Sequence, residues 1–313
     1  MTYHGTGYGK LLLFGEHSAV YGHPAVGIRL SHGLTVSIDV GACRSNWGLP
    51  PLPASAAAQV TAALDSLAPI ATELGADEPP GHGRITITGN LPMGVGFGSS
   101  AAFCTALLHA TMPSLSSDRL RFWEAAHRLE HAFHGTPSGI DTGLSIYDGA
   151  SALYPAPPGL PTRCRVRLPE CTLLVGATPR ERSTAQMIGA VRERHDRDPR
   201  GFSSSMATLG DVAAGVARGV DAVALGAAAG DAHAVLVGLG LSTPSLDACT
   251  TAILREGALG AKLSGAGGGG AFYGVFAADG ARSALRRVEE RLTRARVEVS
   301  ALFVVTLESG EAG

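Results

Sequence analysis

The sequence predicts a two-lobed chain of mixed strands and helices, and three observations carry that prediction. Its 313 residues are enough for a full core and for a division in two. Apolar runs with strand and helix periods alternate along the whole length. Four prolines crowd into Pro155–Pro161, which marks a boundary and sets the expected lobes at 1–157 and 158–313.

Leu11–Phe14, the alternating Leu34–Val40 and Arg84–Thr88 read as strands. Ala54–Leu74 is Ala-rich and reads as one helix, entered through the Pro50-Pro51-Leu52-Pro53 turn. Asp118–His134 is amphipathic, with Ser117 as its expected cap, Phe122, Ala126, Leu129 and Phe133 on one face, and Gly135 as its stop. Past the prolines come a strand at Thr172–Ala177 and helices near Ser183–His195, Gly210–Ala229 and Ser245–Glu256. A strand at Ala271–Phe276, a helix at Ala281–Arg296 and a strand at Val297–Leu307 complete the reading.

Composition narrows the function. Hydrophobic residues make up 45% and charged residues 17%, as in an ordinary globule, and a net charge of −2 offers no footprint for nucleic acid. The arginines of Arg163–Arg200 and Arg282–Arg296 are interleaved with acids and read as solvated helix faces. Five scattered cysteines without a C-x-x-C argue against a disulfide framework or a zinc ribbon. No apolar run reaches a membrane span and no signal-peptide pattern is seen at the N-terminus, so a cytoplasmic location with no membrane partner is expected.

Leu91–Ala102, Leu-Pro-Met-Gly-Val-Gly-Phe-Gly-Ser-Ser-Ala-Ala, is the most informative stretch. Alternate glycines run into two serines and then a helix. Such a bare loop turns backbone N–H groups toward one point, where the helix dipole favours an anion. A nucleotide triphosphate is expected there. Other glycine fingerprints fit less well: Ser99 fills the third slot of a dinucleotide-binding turn, and Gly9-Lys10 lacks the spacing and the following helix of a P-loop.

The chain holds two lysines, Lys10 and Lys262, against 23 arginines. Each lysine precedes a glycine-containing segment, so each is read as needing a compact ammonium. Two acids stand out as well. Glu130 lies in the last turn of its helix, where the dipole disfavours an acid unless a cation is near. Asp141 follows in His134-Gly135-Thr136-Pro137-Ser138-Gly139-Ile140-Asp141. Each has a plain alternative: a capping box Ser138-x-x-Asp141, and a solvated helix position for Glu130.

Taken in order, these segments resemble the GHMP small-molecule kinases, and among them the mevalonate kinases most closely. Gly9-Lys10 through Gly15-Glu16-His17-Ser18-Ala19-Val20-Tyr21-Gly22 is similar to the first motif, Pro92–Ala102 to the second, and Lys262–Gly270 to the third. The His134–Asp141 segment is similar to the one that carries the catalytic aspartate. The resemblance spans most of the chain. It implies an α+β two-lobed GHMP kinase fold, with an N-terminal lobe like the second domain of ribosomal protein S5 and a C-terminal α+β lobe.

The resemblance also implies roles. Asp141 is matched to the catalytic base, and Lys10 to the lysine that steadies the base and the reacting oxygen. Pro92, Gly94, Val95, Gly96, Phe97, Gly98, Ser99, Ser100 and Ala101, with Gly267 and Gly268, are matched to the positions that hold ATP. Ser100 and Glu130 are matched to the Mg²⁺ ligands. Glu16, His17, Ser138, Arg182 and Lys262 are matched to positions near the substrate. The implied reaction is ATP-dependent phosphorylation of the primary hydroxyl of mevalonate in isoprenoid biosynthesis, by a possible homodimer. Phe103 stands where the family often carries Tyr, removing one hydroxyl near the expected substrate site.

Three alternatives stand beside this expectation. Another acceptor on the same scaffold (phosphomevalonate, homoserine or a sugar) is one. A zinc peptidase using the H-x-x-E-H pattern of His127, Glu130 and His131 is the second. A non-catalytic ligand-binding relative is the third.

Overall fold

Strand β1 (Thr2–Phe14) is far longer than its apolar end suggests, and its glycines explain why. Gly5, Gly7 and Gly9 alternate on one face. A Cβ at Gly7 would lie 1.9 Å from the Ala102 carbonyl oxygen, and one at Gly5 2.1 Å from that of Ala106. The bare face lets helix α3 (Ser99–Thr111) lie directly on the strand. In this computed structural model the described residues are 1–43 and 46–308, with the backbone alone at 184 and 185.

β1 pairs antiparallel with the long β2 (Ala25–Asp39), which begins well before the expected Leu34. The short β3 (Trp47–Gly48) leads to two helices, α1 (Ala54–Asp65) and α2 (Leu67–Leu74), where one was expected. Pro69 is the reason: it cannot donate to the Asp65 carbonyl and its ring clashes there, so the helix breaks at Ser66. β4 (Gly83–Gly89) matches its expected strand closely and pairs with β2. Helix α4 (Arg119–Glu130) is capped by Asp118, not Ser117: the Asp118 side chain accepts from the N–H groups of Leu120 and Arg121. Then come α5 (Ile140–Ile146), β5 (Ala150–Tyr154) and β6 (Thr162–Val166). The first sheet has the order β3-β4-β2-β5-β6, with β1 also paired to β2.

The prolines of 155–161 do not divide the lobes. β5 and β6 on either side of them pair antiparallel, from Tyr154 opposite Thr162 to Ala150 opposite Val166, so the segment is a hairpin connection inside the first sheet. Passage to the second sheet falls after Val166 and before β7 (Cys171–Arg180).

The second lobe continues with α6 (Thr184–Arg197), entered through a capping box of Ser183 and Gln186. The helix expected at Gly210–Ala229 is two, α7 (Pro199–Ala217) and α8 (Ala222–Gly238). They part at Gly219, and the Asp221 side chain caps the second. α9 (Pro244–Arg255), β8 (Gly260–Leu263), β9 (Gly269–Ala277), α10 (Gly280–Arg294) and β10 (Ala301–Leu307) complete the chain. The antiparallel order β10-β7-β9-β8 presents one face to α8, α9 and α10.

One apolar core runs through both lobes. Leu11, Leu13, Val36 and Ile38 pack with Ala106 and Leu107 of α3, and the same cluster continues into Leu173, Val175, Phe272 and Val275. The Phe97 and Phe303 rings meet edge-on, 5.5 Å between centroids, where the loop before α3 touches β10. Among the described residues no helix is long and apolar enough to cross a membrane.

Candidate active site

Lys10 sits near the end of β1, where its stem threads past the loop that opens α3. The Lys10 N–H donates to the Phe97 carbonyl at 2.9 Å, locking strand to loop. Gly98 has φ +72°, and a Cβ there would lie 2.7 Å from Lys10 Cγ, so only glycine serves both the turn and the passage. The ammonium ends 3.0 Å from Asp141 Oδ1. Lys10 has 5% of its side chain exposed and Asp141 36%: the cation lies beneath, and the carboxylate faces the cleft.

Asp141 does not form the capping box. The N-cap of α5 is Gly139 with no side-chain cap, and the Ser138 Oγ accepts from the nearby Ile140 N–H at 3.3 Å instead. Asp141 therefore stands in the first helical turn, where the dipole favours an acid, with its oxygens left for Lys10 and the cleft.

Glu130 is buried at the end of α4. Its Oε1 lies 3.4 Å from Ser100 Oγ, at the head of α3. Burial pushes the Glu130 carboxyl up to about 8, the Asp141 charge adds to the rise, and Lys10 and the Ser100 hydroxyl work against it. Such a carboxyl is the donor a divalent cation would draw into its ionised form. One carboxylate and one hydroxyl leave the rest of a Mg²⁺ shell to phosphate and water oxygens, so the pair fits that ion. His134 Nε2 lies 3.3 Å from the same Ser100 Oγ, a neighbour the sequence reading did not single out.

The loop of Pro92–Gly98 faces this cluster. Gly94 N–H donates to Ser99 Oγ, and Arg180 Nε donates to the Gly94 carbonyl at 2.9 Å. A Cβ at Gly270 would stand 3.0 Å from the Val95 carbonyl oxygen, so the glycine runs of the two lobes touch. Phe97 and Ala101 are wholly buried; their side chains belong to the core, and only their backbone is available to a ligand.

Several expected residues are placed differently. Gly268 spends its N–H on the Leu241 carbonyl and its own carbonyl on the N–H groups of Glu181 and Arg182. Gly267 is wedged against Leu241. Gly270 is the one that meets the loop before α3. Arg182 is exposed, whereas half-buried Arg180 reaches that loop and lies close enough to Asp141 for their charges to interact. Strand alternation could not have found it, because the pairing of β7 with β9 slips between Thr178 and Arg180 and Arg182 lies two residues further on. Phe103 is buried, with its ring edge-on to that of Phe133 at 5.8 Å.

Glu16 and Lys262 are fully buried and form an ion pair with each other. His17 beside them holds a left-handed φ of +59°, a strained conformation for a residue with a Cβ. Its Nε2 lies 3.0 Å from the Ala266 carbonyl oxygen, and burial holds the ring below its usual range, so it is a neutral donor there.

The zinc-peptidase alternative fails on geometry. Glu130 turns inward to Ser100 while His131 is exposed. Among the described residues no group of three or more His, Cys, Asp or Glu is placed to hold a metal.

A family model described as GHMP kinases N terminal domain matches residues 54–149, and one described as GHMP kinases C terminal matches 216–293. The chain is 30% identical over 284 residues to the mevalonate kinase of Archaeoglobus fulgidus, covering 86% of this chain and 90% of that one. It is similar in fold to L. major mevalonate kinase in complex with R-mevalonate: TM-score 0.79 and 24% identity, covering 99% and 97% of the two chains. Streptococcus pneumoniae phosphomevalonate kinase in complex with phosphomevalonate and AMPPNP shares the fold at TM-score 0.75 and 17% identity, covering 97% and 99%. The fold by itself therefore does not select the acceptor.

Proposed function

Because the chain belongs to the GHMP kinases, among their mevalonate kinases, we propose that it transfers the terminal phosphoryl group of ATP to the primary hydroxyl of mevalonate, giving 5-phosphomevalonate and ADP. The observation that carries this reading is the cleft-facing Asp141, ion-paired from below by Lys10 and set beside Glu130 and Ser100 at the mouth of the glycine loop.

Phosphoryl transfer asks a protein for position and charge more than for covalent chemistry. The backbone N–H groups of the Val95–Ser100 segment, at the positive end of α3, hold the phosphates. Arg180, anchored on the Gly94 carbonyl, adds a cation from the second lobe. Asp141 orients the acceptor hydroxyl and takes its proton as the new O–P bond forms. Lys10 keeps Asp141 in place and stabilises the charge that develops on the reacting oxygen. Ser100 and Glu130 would hold Mg²⁺, which when bound offsets the phosphate charge.

A coupled ADP-release assay on purified protein against mevalonate, phosphomevalonate, homoserine and galactose tests the reading. Turnover is expected with mevalonate at a kcat/KM well above the rest. A preference for another acceptor would leave the kinase and overturn the substrate; ATP binding without turnover on any alcohol would overturn the catalytic reading. We include a cytoplasmic location, which five free thiols suit, and a homodimer, which sedimentation of the purified chain checks.

A further inference from the structure

Strand β1 pairs with β2 on one side; near its end its other side is held by side chains of the second lobe. Ser264 Oγ donates to the Leu12 carbonyl at 2.7 Å, and the Tyr273 hydroxyl to the Leu13 carbonyl at 2.9 Å. Lys262 Nζ donates to the same Leu13 carbonyl at 3.0 Å and pairs with Glu16 Oε1. The ammonium also lies 5.6 Å from the Phe14 ring centroid and 5.5 Å from that of Tyr273. Neither Lys262 nor Glu16 has any side-chain exposure, so neither reaches a ligand in the cleft.

We propose that Lys262 is a positioning residue: its ion pair with Glu16 pins the loop after β1 to the glycine run after β8, and so fixes one lobe against the other at the active site. The pin rests on the reading of the cleft given above. It carries the strained His17, which reaches Ala266 across the same seam, and it holds the end of the strand that bears Lys10. Through it, Lys10 and Asp141 of the first lobe are kept opposite Arg180 and Gly270 of the second.

A buried pair that acts only on its partner behaves differently from a substrate cation. Removing one member leaves an uncompensated buried charge, whereas removing both is far milder. Here the Leu13 carbonyl would still keep the Tyr273 hydroxyl. The experiment compares Lys262→Met, Glu16→Gln and the double variant by thermal unfolding and by kcat and KM for each substrate.

Each single variant is expected to melt earlier and to lose about tenfold or more in kcat/KM; the double variant is expected to melt later and turn over faster than either. A double variant as slow as Lys262→Met, with the acceptor KM raised alike in both, would overturn the proposal and make Lys262 a substrate contact. A double variant that does not fold, or single variants that melt with the wild type, would also overturn it. Should the wild type turn over none of the four acceptors, the functional reading fails while the melting comparison still reads the pin.

Discussion

Lys10 Nζ and Asp141 Oδ1 lie 3.0 Å apart, and the lysine is the more deeply buried partner. The arrangement leaves the carboxylate facing the cleft and puts the cation behind it. Both lysines of the chain are buried against a carboxylate, Lys10 on Asp141 and Lys262 on Glu16. Their scarcity beside 23 arginines thus has a physical reason: each site takes a compact ammonium on a flexible stem, where a planar guanidinium would not fit.

Asp141→Asn keeps the shape of the side chain and removes the proton acceptor. Turnover is expected to fall by about 10²–10⁴-fold, with ATP affinity and melting temperature close to wild type. A variant with wild-type kcat that melts much earlier would make Asp141 a structural residue.

Glu130 makes the metal-free protein sensitive to pH. Its folded carboxyl titrates near 8 against an ordinary 4.5, so the folded state holds a proton that the unfolded state has released. Its contribution to stability is therefore lost as pH rises from about 4.5 towards 8. Mg²⁺ must displace that proton, so its affinity should rise about tenfold per pH unit below 8 and then level off. Calorimetric Mg²⁺ titrations from pH 6 to 9 would show the slope in the wild type and none in Glu130→Gln.

Arg180 and Arg182 are separable. Losing one preorganised donor to a phosphoryl group costs about 10²–10³-fold in kcat, which is the effect expected of Arg180→Met. The exposed Arg182→Ala should stay within about threefold of wild type, as surface changes do. Steady-state kinetics on the two variants decide between them, and the reverse order would return the cleft cation to Arg182.

Gly98→Ala tests how tightly loop and lysine are interlocked. The new Cβ meets Lys10 Cγ at a left-handed φ of +72°, which costs about 1–2 kcal/mol and shifts the ammonium. Earlier melting together with reduced turnover is expected. Unchanged melting would show that the loop yields freely.

Much of this could be read locally. The glycine loop running into α3, the start of α6 at Ser183 and the order of the motifs all rest on residues within a few positions of one another, although α4 ends at Glu130, a turn before the expected stop at Gly135. Backbone conformation and capping are short-range, so a linear reading reaches them. It went astray where the local signal was ambiguous. The glycines of Gly5, Gly7 and Gly9 resemble a loop until a helix is seen lying on them. A proline cluster marks a hairpin connection as readily as a lobe boundary.

Contacts between distant segments were settled only by packing. Which acid meets which lysine, whether Arg180 or Arg182 enters the cleft, and which glycine of the third motif touches Val95 depend on how two sheets dock across one continuous core. Sequence spacing holds no record of that docking angle. The ion pairs form because docking sets each buried ammonium against a carboxylate, and that burial is a property of the assembled lobes.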